Sequence, residues 1–332
     1  MRLRTVSCND PGWRRVRRGR GFSYLDETGA PLADEDVQRV RDLVIPPAWE
    51  QVWICSVAHG HLQAVGTDEA GRRQYLYHPQ WRIQRDIAKF ERVQEMAAAL
   101  PRMRRSLRRR LALPAGAPLE RSHVRAAAVR LIDLGYFRVG AESYAAENGS
   151  YGLSTLERQH VRRTDDGFCF AFVGKSGVEH DVRLSDRVLE PVLDRLLRAR
   201  RGEQVLLASK LGGRWRPLSG EEINEEVRDL LGTEATAKDF RTWHATVTVA
   251  RELGGREVAK PTARRRAVVA ALDVAAQALG NTRTVARSSY VDPRIIDLFE
   301  EGRLPEIPRG QAPGEAAVLR ALGRLDPRSP AE

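Results

Sequence analysis

The chain has 332 residues, in which 55 Lys and Arg stand against 44 Asp and Glu, a formal net charge of +11. That length suits two domains, each able to bury a core of its own, and the positive excess points to a polyanionic partner. Three cysteines without CxxC spacing (Cys8, Cys55 and Cys169) exclude a disulfide framework and a cysteine zinc site, and no run approaches a membrane span of ~18 apolar residues. The opening MRLRTVSCNDPGWRRVRRGR has no apolar run and reads as no secretory signal, so the expected compartment is the cytoplasm.

Residues 1–90 read as mostly strand and turn. Residues 22–26 are a strand candidate running into the turn signal Glu27-Thr-Gly29. A helix is expected from about Val37 into the Leu43 region. The run Ile45-Pro-Pro-Ala-Trp49 is expected to be rigid and extended, because proline blocks helix. Residues 52–56 and 61–65 read as strands joined near Gly60, and Gln74-Tyr-Leu-Tyr77 as another. From Trp81 the period becomes helical, with Ile83, Ile87, Phe90, Val93 and Met96 at spacings of three and four. This helix is expected to join two domains, 1–90 and 91–332. In the run 102–110 that follows, Leu107 and Leu111 point inward, and the arginines form a solvated face, phosphate contacts, or both.

Residues 123–134 form an apolar helix with Gly135 as its C-cap. Strands 168–173 and 178–184 flank Gly174-Lys-Ser-Gly177 and read as a hairpin. Helices are expected over 189–200, after the capping box Ser219-Gly-Glu-Glu222, and over 236–253 and 262–279. The tail past Pro305 is rich in Pro, Gly and Ala, with one short helix near 316–325 and a mobile close. The fold class is therefore α+β: a small β-rich N-terminal domain and a larger, mainly α-helical catalytic domain carrying a small β-hairpin insert.

Breaking a DNA strand without a metal requires groups that neutralise the phosphate, a proton donor for the leaving oxygen and a nucleophile that can hold the strand. A tyrosine nucleophile starts with a pKa of ~10, and nearby cations favour its phenolate. The helical domain contains such groups. Arg138 lies in Gly135-Tyr-Phe-Arg-Val-Gly140 and Lys175 at the hairpin tip. Arg241 lies in Lys238-Asp-Phe-Arg-Thr-Trp-His-Ala-Thr246, Asn281 after Gly280 at a helix end, and Tyr290 in Val285-Ala-Arg-Ser-Ser-Tyr-Val-Asp292. Singly, each of these residues is commonplace on a protein surface or in a core.

In this order, FRVG, GKSG, KDFRTWHAT and GNTRTVARSSYVDPRI resemble the type IB DNA topoisomerases of the small poxvirus and bacterial kind, as does Gly71-Arg-Arg-Gln-Tyr-Leu-Tyr-His-Pro-Gln-Trp81. The resemblance covers nearly the whole chain. It implies that Tyr290 forms a 3′-phosphotyrosyl bond, that Arg138 and Arg241 clamp the phosphate, and that Lys175, helped by Arg138, protonates the departing 5′ oxygen. The fourth phosphate-binding position, often His in the family, is Asn281 here. Asparagine can donate a hydrogen bond but is no acid near pH 7, and the base that deprotonates Tyr290 stays open. The resemblance also implies DNA contact by Gln74, Tyr75 and Tyr77, and Arg73 and Lys238 are taken as further DNA-binding candidates. Strict strand alternation, however, puts Arg73, Tyr75 and Tyr77 on one face and Gln74 on the other. The expected protein is a monomer that closes on double-stranded DNA as a clamp, associated with the nucleoid, without metal or cofactor.

Other readings are weaker. Gly174-Lys-Ser176 mimics the end of a phosphate-binding P-loop, but that loop needs a glycine where Cys169 stands. The pairs His59/His61 and His180/His244 have no ligand partners at metal spacing. Trp243 reads as core or as a brace behind Arg241. A tyrosine recombinase is the nearest rival, but its H-x-x-R pattern meets Lys238 here. A noncatalytic DNA-binding protein should lack the nucleophile, and a metal nuclease should show clustered carboxylates.

Overall fold

The structure is a computed structural model that describes residues 2–114, 116–140, 149–198 and 204–323. The chain divides into two compact units, residues 1–89 and 90–332.

In the first unit, β1 (Trp13–Arg18) pairs with β2 (Gly21–Leu25) and β3 (Glu50–Ile54), which leads on to β4 (Leu62–Thr67) and β5 (Arg73–Tyr77). The result is an antiparallel sheet in the order β2-β1-β3-β4-β5. Trp13, Val52, Ile54 and Ala64 from the sheet and Val40 from α1 (Asp34–Asp42) make its core. Strand β1 escapes a reading by pattern because four of its six residues are arginine. The stretch expected to be extended, Ile45 to Trp49, is a turn closed by Trp49 N–H on the Pro46 carbonyl at 3.1 Å. Proline fits a turn as readily as an extended segment. The Arg15 guanidinium gathers the carbonyls of Ile45, Pro46 and Trp49 at 3.1, 3.0 and 2.6 Å.

Helix α2 (Pro79–Arg110) is continuous, with Pro101 inside it, and contains the boundary between the units. Its apolar stripe is buried only from Phe90 onward; Ile83 and Ile87 remain 45% and 38% exposed. A helical period shows which side chains share a face, not that a partner covers that face. Leu107 and Leu111 are inside, as expected. Several arginines of the 102–110 run prove structural. Arg102 donates to the Leu231 carbonyl at 2.5 Å, Arg110 pairs with Glu226, and Arg104 enters a buried network.

The second unit packs α3 (Arg121–Gly135), α4 (Glu190–Leu197), α5 (Gly220–Leu231), α6 (Ala237–Leu253), α7 (Pro261–Leu279), α8 (Arg283–Ser289), α9 (Pro293–Glu300) and α10 (Gln311–Gly323) around one core. The expected hairpin, β7 (Gly167–Val173) with β8 (Glu179–Leu184), is extended by an unforeseen β6 (Val161–Thr164) into a three-stranded sheet. A second hairpin, β9 (Ala208–Leu211) with β10 (Arg214–Pro217), also went unread. The Ser219 capping box opens α5 as expected. The expected helix over 189–200 is described as α4; residues 199 and 200 lie outside the described residues, as does the tail beyond 323.

Helix α6 is buried along nearly its whole length, polar residues included. Its start is pinned by Arg92, which donates to Asp239 at 2.8 Å, while Asp239 accepts the Thr236 N–H at 2.8 Å. Beneath it lies an ion network. Asp133 of α3, fully buried, accepts from Arg104 at 2.7 Å and from Arg130 at 2.6 Å. Arg104 also binds Glu315 of α10 at 2.6 Å, and Arg130 binds Asp186 at 2.5 Å. Burial pushes the Asp133 carboxyl up, but Arg104, then His244 and Arg130, outweigh it and hold the pKa below its usual value. Removing one member of a buried pair costs about 3–5 kcal/mol. Because each arginine keeps a second carboxylate, Asp133→Ala is expected at the lower end, about 3 kcal/mol, in urea unfolding with an unchanged m-value. A loss under about 1 kcal/mol would mean that the network is as weak as a surface pair.

Candidate active site

Arg138, Lys175, Asn281 and Tyr290 line one open cleft of about 1000 Å³ in the second unit. Arg241 borders an adjoining space together with Arg138 and Lys175. Residues up to 152 positions apart in sequence are thus brought to one place, each by a local device.

Helix α3 ends at Gly135, but the C-cap is Tyr136, in the left-handed region at φ 57°. Glycine is required at 135 for a different reason: a β-carbon there would lie 2.3 Å from the Phe137 ring. The reversal at Tyr136 starts the segment that carries Arg138, whose own carbonyl accepts Leu153 N–H at 2.8 Å.

Helix α7 stops in a Schellman motif. Gly280, at φ 58°, donates to Gln277 and Asn281 donates to Ala276, at 3.1 and 2.9 Å. The next helix starts at once, with the Thr282 hydroxyl capping Val285 N–H at 3.3 Å. Asn281 is therefore fixed between a helix stop and a helix start. Its Oδ1 accepts from Arg138 Nη2 at 2.5 Å. Arginine has only donors to offer, which sets the amide orientation. The Asn281 Nδ2 is left buried, with no partner among the described residues.

Arg241 is only 3% exposed. Its Nη1 donates to the Tyr136 carbonyl and its Nη2 to the Leu279 carbonyl at 2.7 Å. These carbonyls end α3 and α7, so two helix C-termini compensate one buried cation. Burial and then Arg138 push the Arg241 pKa down to about 10, which still leaves it protonated at neutral pH. Its Nε is buried without a partner among the described residues.

Tyr290 caps α8 and is 9% exposed, with the Arg241 guanidinium 5.3 Å from its ring centroid. Burial opposes the phenolate, but the charges of Arg241, Arg138 and Lys238 outweigh it and hold the Tyr290 pKa below its usual value. Lys238 itself is exposed on the first turn of α6. Lys175 is exposed in the short turn between β7 and β8, where Gly174 N–H closes on the Val178 carbonyl at 2.7 Å.

Two contributors escaped the sequence reading. Thr246, the last residue of KDFRTWHAT, reaches the main chain beside the tyrosine. Its hydroxyl accepts Asp292 N–H at 3.1 Å and lies 3.4 Å from the Tyr290 carbonyl. His180, dismissed as a metal ligand, borders both cavities. Neither carries a local signal, since Thr246 acts on a segment 46 residues away and His180 packs against Gly280 as well as against its own hairpin turn. His244 is fully buried against the Tyr136 ring at 4.4 Å, and burial pushes its pKa down to about 4, so it is neutral. Trp243 is core, 1% exposed. Among the described residues no three His, Cys, Asp or Glu side chains are grouped so as to hold a metal ion.

In the first unit, β5 alternates as its pattern demands. Tyr75 and Tyr77 stack at 6.2 Å, and Arg73 lies 6.0 Å from the Tyr75 ring, also 3.1 Å from Cys8 Sγ. Gln74 turns to the other face and donates to Asp68 at 2.8 Å. No helix among the described residues is long and apolar enough to cross a membrane.

A cluster of fixed cations and an amide around a buried phenol suits attack on a phosphate. The family model for the catalytic core of eukaryotic DNA topoisomerase I matches residues 78–298, well over half of the chain. The chain belongs to the type IB DNA topoisomerases. The model for the N-terminal domain of bacterial DNA topoisomerase IB matches residues 21–68 of this topoisomerase. It is 26% identical over 288 residues to a DNA topoisomerase 1B of Acanthamoeba polyphaga mimivirus, covering 83% of this chain and 84% of that protein. It is 24% identical over 259 residues to the DNA topoisomerase 1B of Vaccinia virus (strain Copenhagen) and to the DNA topoisomerase I of Monkeypox virus, 76% of each chain in both cases. These matches favour the topoisomerase over the recombinase alternative.

Proposed function

We propose that this topoisomerase relaxes supercoiled double-stranded DNA with Tyr290 as its nucleophile. The Tyr290 oxygen bonds to phosphorus, the bond from phosphorus to the 5′ oxygen breaks, and Lys175 gives that oxygen a proton. Arg138 and Arg241 neutralise the nonbridging oxygens, and the unpartnered Asn281 Nδ2 donates to one of them. The Tyr290 proton leaves to water. The free 5′ end then turns about the intact strand, and the reverse reaction reseals it. Superhelical strain drives the turning and the covalent bond conserves the phosphodiester energy, so neither ATP nor a metal takes part.

One observation carries this reading: Arg241, locked by two helix ends, holds its charge beside the Tyr290 ring while Arg138 is tied to Asn281. Preorganised charge is commonly the largest single contribution to such catalysis. The exposed face of Arg73, Tyr75 and Tyr77 supplies further DNA contacts, as does Lys238, whereas Gln74, engaged by Asp68, contacts DNA only if it exchanges that partner. We read the protein as a monomer working on nucleoid DNA in the cytoplasm.

The test is plasmid relaxation in excess chelator without ATP. Relaxed topoisomers of both positively and negatively supercoiled substrates are expected. A requirement for a divalent ion would overturn the reading.

A further inference from the structure

The flat rings of Phe137, Phe172 and His180 form a continuous column. Phe137 stacks on Phe172 at 5.9 Å and 22°, and Phe172 on His180 at 4.9 Å and 16°. Every member of this column sits next to the active site. Phe137 precedes Arg138 in the chain. The outer edge of the His180 ring is wedged between the glycines that precede Lys175 and Asn281. A β-carbon at Gly174 would lie 2.6 Å from His180 Nε2, and one at Gly280 would lie 2.5 Å from His180 Cε1. Only hydrogen fits at either position.

We infer that His180 is a positioning residue for Lys175, the last ring of a spacer that sets the hairpin turn against the segments of Arg138 and Asn281. Those two segments have other restraints. Arg138 is held by Leu153 and Asn281, and Asn281 by its helix stop and start. Among the described residues the Lys175 turn is closed by its own backbone bonds, Gly174 N–H to Val178 and Gly177 N–H to Gly174 at 2.7 and 3.2 Å, with exposed residues at 175–177, and the nearest outside tie is Tyr151 N–H to the Val173 carbonyl at 2.8 Å, on the strand before it. Removing the wedge therefore frees Lys175 before it frees the others. Burial, Arg138 and Arg241 all lower the His180 pKa, so the ring is neutral and adds no charge to a crowded cationic site.

This inference rests on the reading of Lys175 as proton donor, and the experiment separates the two. Single-turnover cleavage is measured for His180→Ala, Lys175→Ala and the double variant, on DNA with an oxygen or a sulfur at the scissile 5′ position. A misplacement near 1 Å can cost about 10²-fold. His180→Ala is expected to slow the oxygen substrate by about that factor and the sulfur substrate by no more than about 3-fold, because a thiolate leaves without a proton. Added to Lys175→Ala, it should cost no more than about 2-fold, since the residue it positions is gone. Full additivity in the double variant overturns the positioning role. Equal losses for Lys175→Ala on both substrates overturn the donor reading instead, and the double variant still decides whether His180 works through Lys175. Should His180→Ala melt near room temperature, Gly174→Ala replaces it. Its φ of −97° tolerates a side chain, so the added methyl acts by displacing the ring, and the same pattern of losses is expected.

Discussion

Tyr290→Phe is expected to fold, to bind DNA and to lose both plasmid relaxation and the covalent protein–DNA adduct. The substitution deletes a single oxygen. The ring stays in its buried place beside Arg241, and the main-chain ties of this segment to Thr246 do not involve the hydroxyl. The cations that favour the phenolate should, if anything, hold DNA slightly better without it. Melting temperature and affinity should therefore sit near the native values while the adduct disappears from denaturing gels. Relaxation at the native rate would remove Tyr290 from the reaction.

Lys175→Ala should slow cleavage of ordinary DNA by about 10²–10⁴-fold, the range typical of a lost general acid. On DNA with a bridging 5′ sulfur the loss should nearly vanish. Arg241→Ala serves as the contrast. In the proposed reaction its charge acts on the nonbridging oxygens, which the sulfur substrate leaves unchanged, so both substrates should suffer alike. Lys175 is exposed on a short turn, and its removal should leave folding stability within about 0.5 kcal/mol of native. Equal losses on the two substrates would make Lys175 a phosphate clamp and turn the search for the proton donor to Arg138.

The sequence is most readable where structure is local. Gly280 announces a helix end, and the chain obeys, although the short helix that Thr282 opens at once was not read. Ser219-Gly-Glu-Glu222 caps a helix by chemistry confined to four residues. Tyr75 and Tyr77 alternate with Gln74 because a strand has a period of two. What escapes is long range. Nothing near Asp133 tells that Arg104 and Glu315 converge on the same buried site, and nothing near His180 shows that Gly280, on another helix end, joins Gly174 in making room for its ring. The arginines of β1 hide a strand from a hydropathy pattern, since Arg15 contributes its hydrogen bonds rather than its apolar surface. Ile83 and Ile87 show the converse, a correct period on an uncovered face. The candidate site was legible as a set of residues, but how they are held was not.

The Arg241 Nε and the Asn281 Nδ2 are both buried and have no partner among the described residues. An orphaned donor weighs against the folded state by about 1–3 kcal/mol, and the mutual repulsion of Arg138 and Arg241 adds to it. Selection for a sturdier protein and selection for a faster enzyme therefore act on these positions in opposite directions. In the proposed reaction a phosphate in the cleft would answer the Asn281 donor, so DNA binding is expected to raise the melting temperature of the protein as well as to start the chemistry.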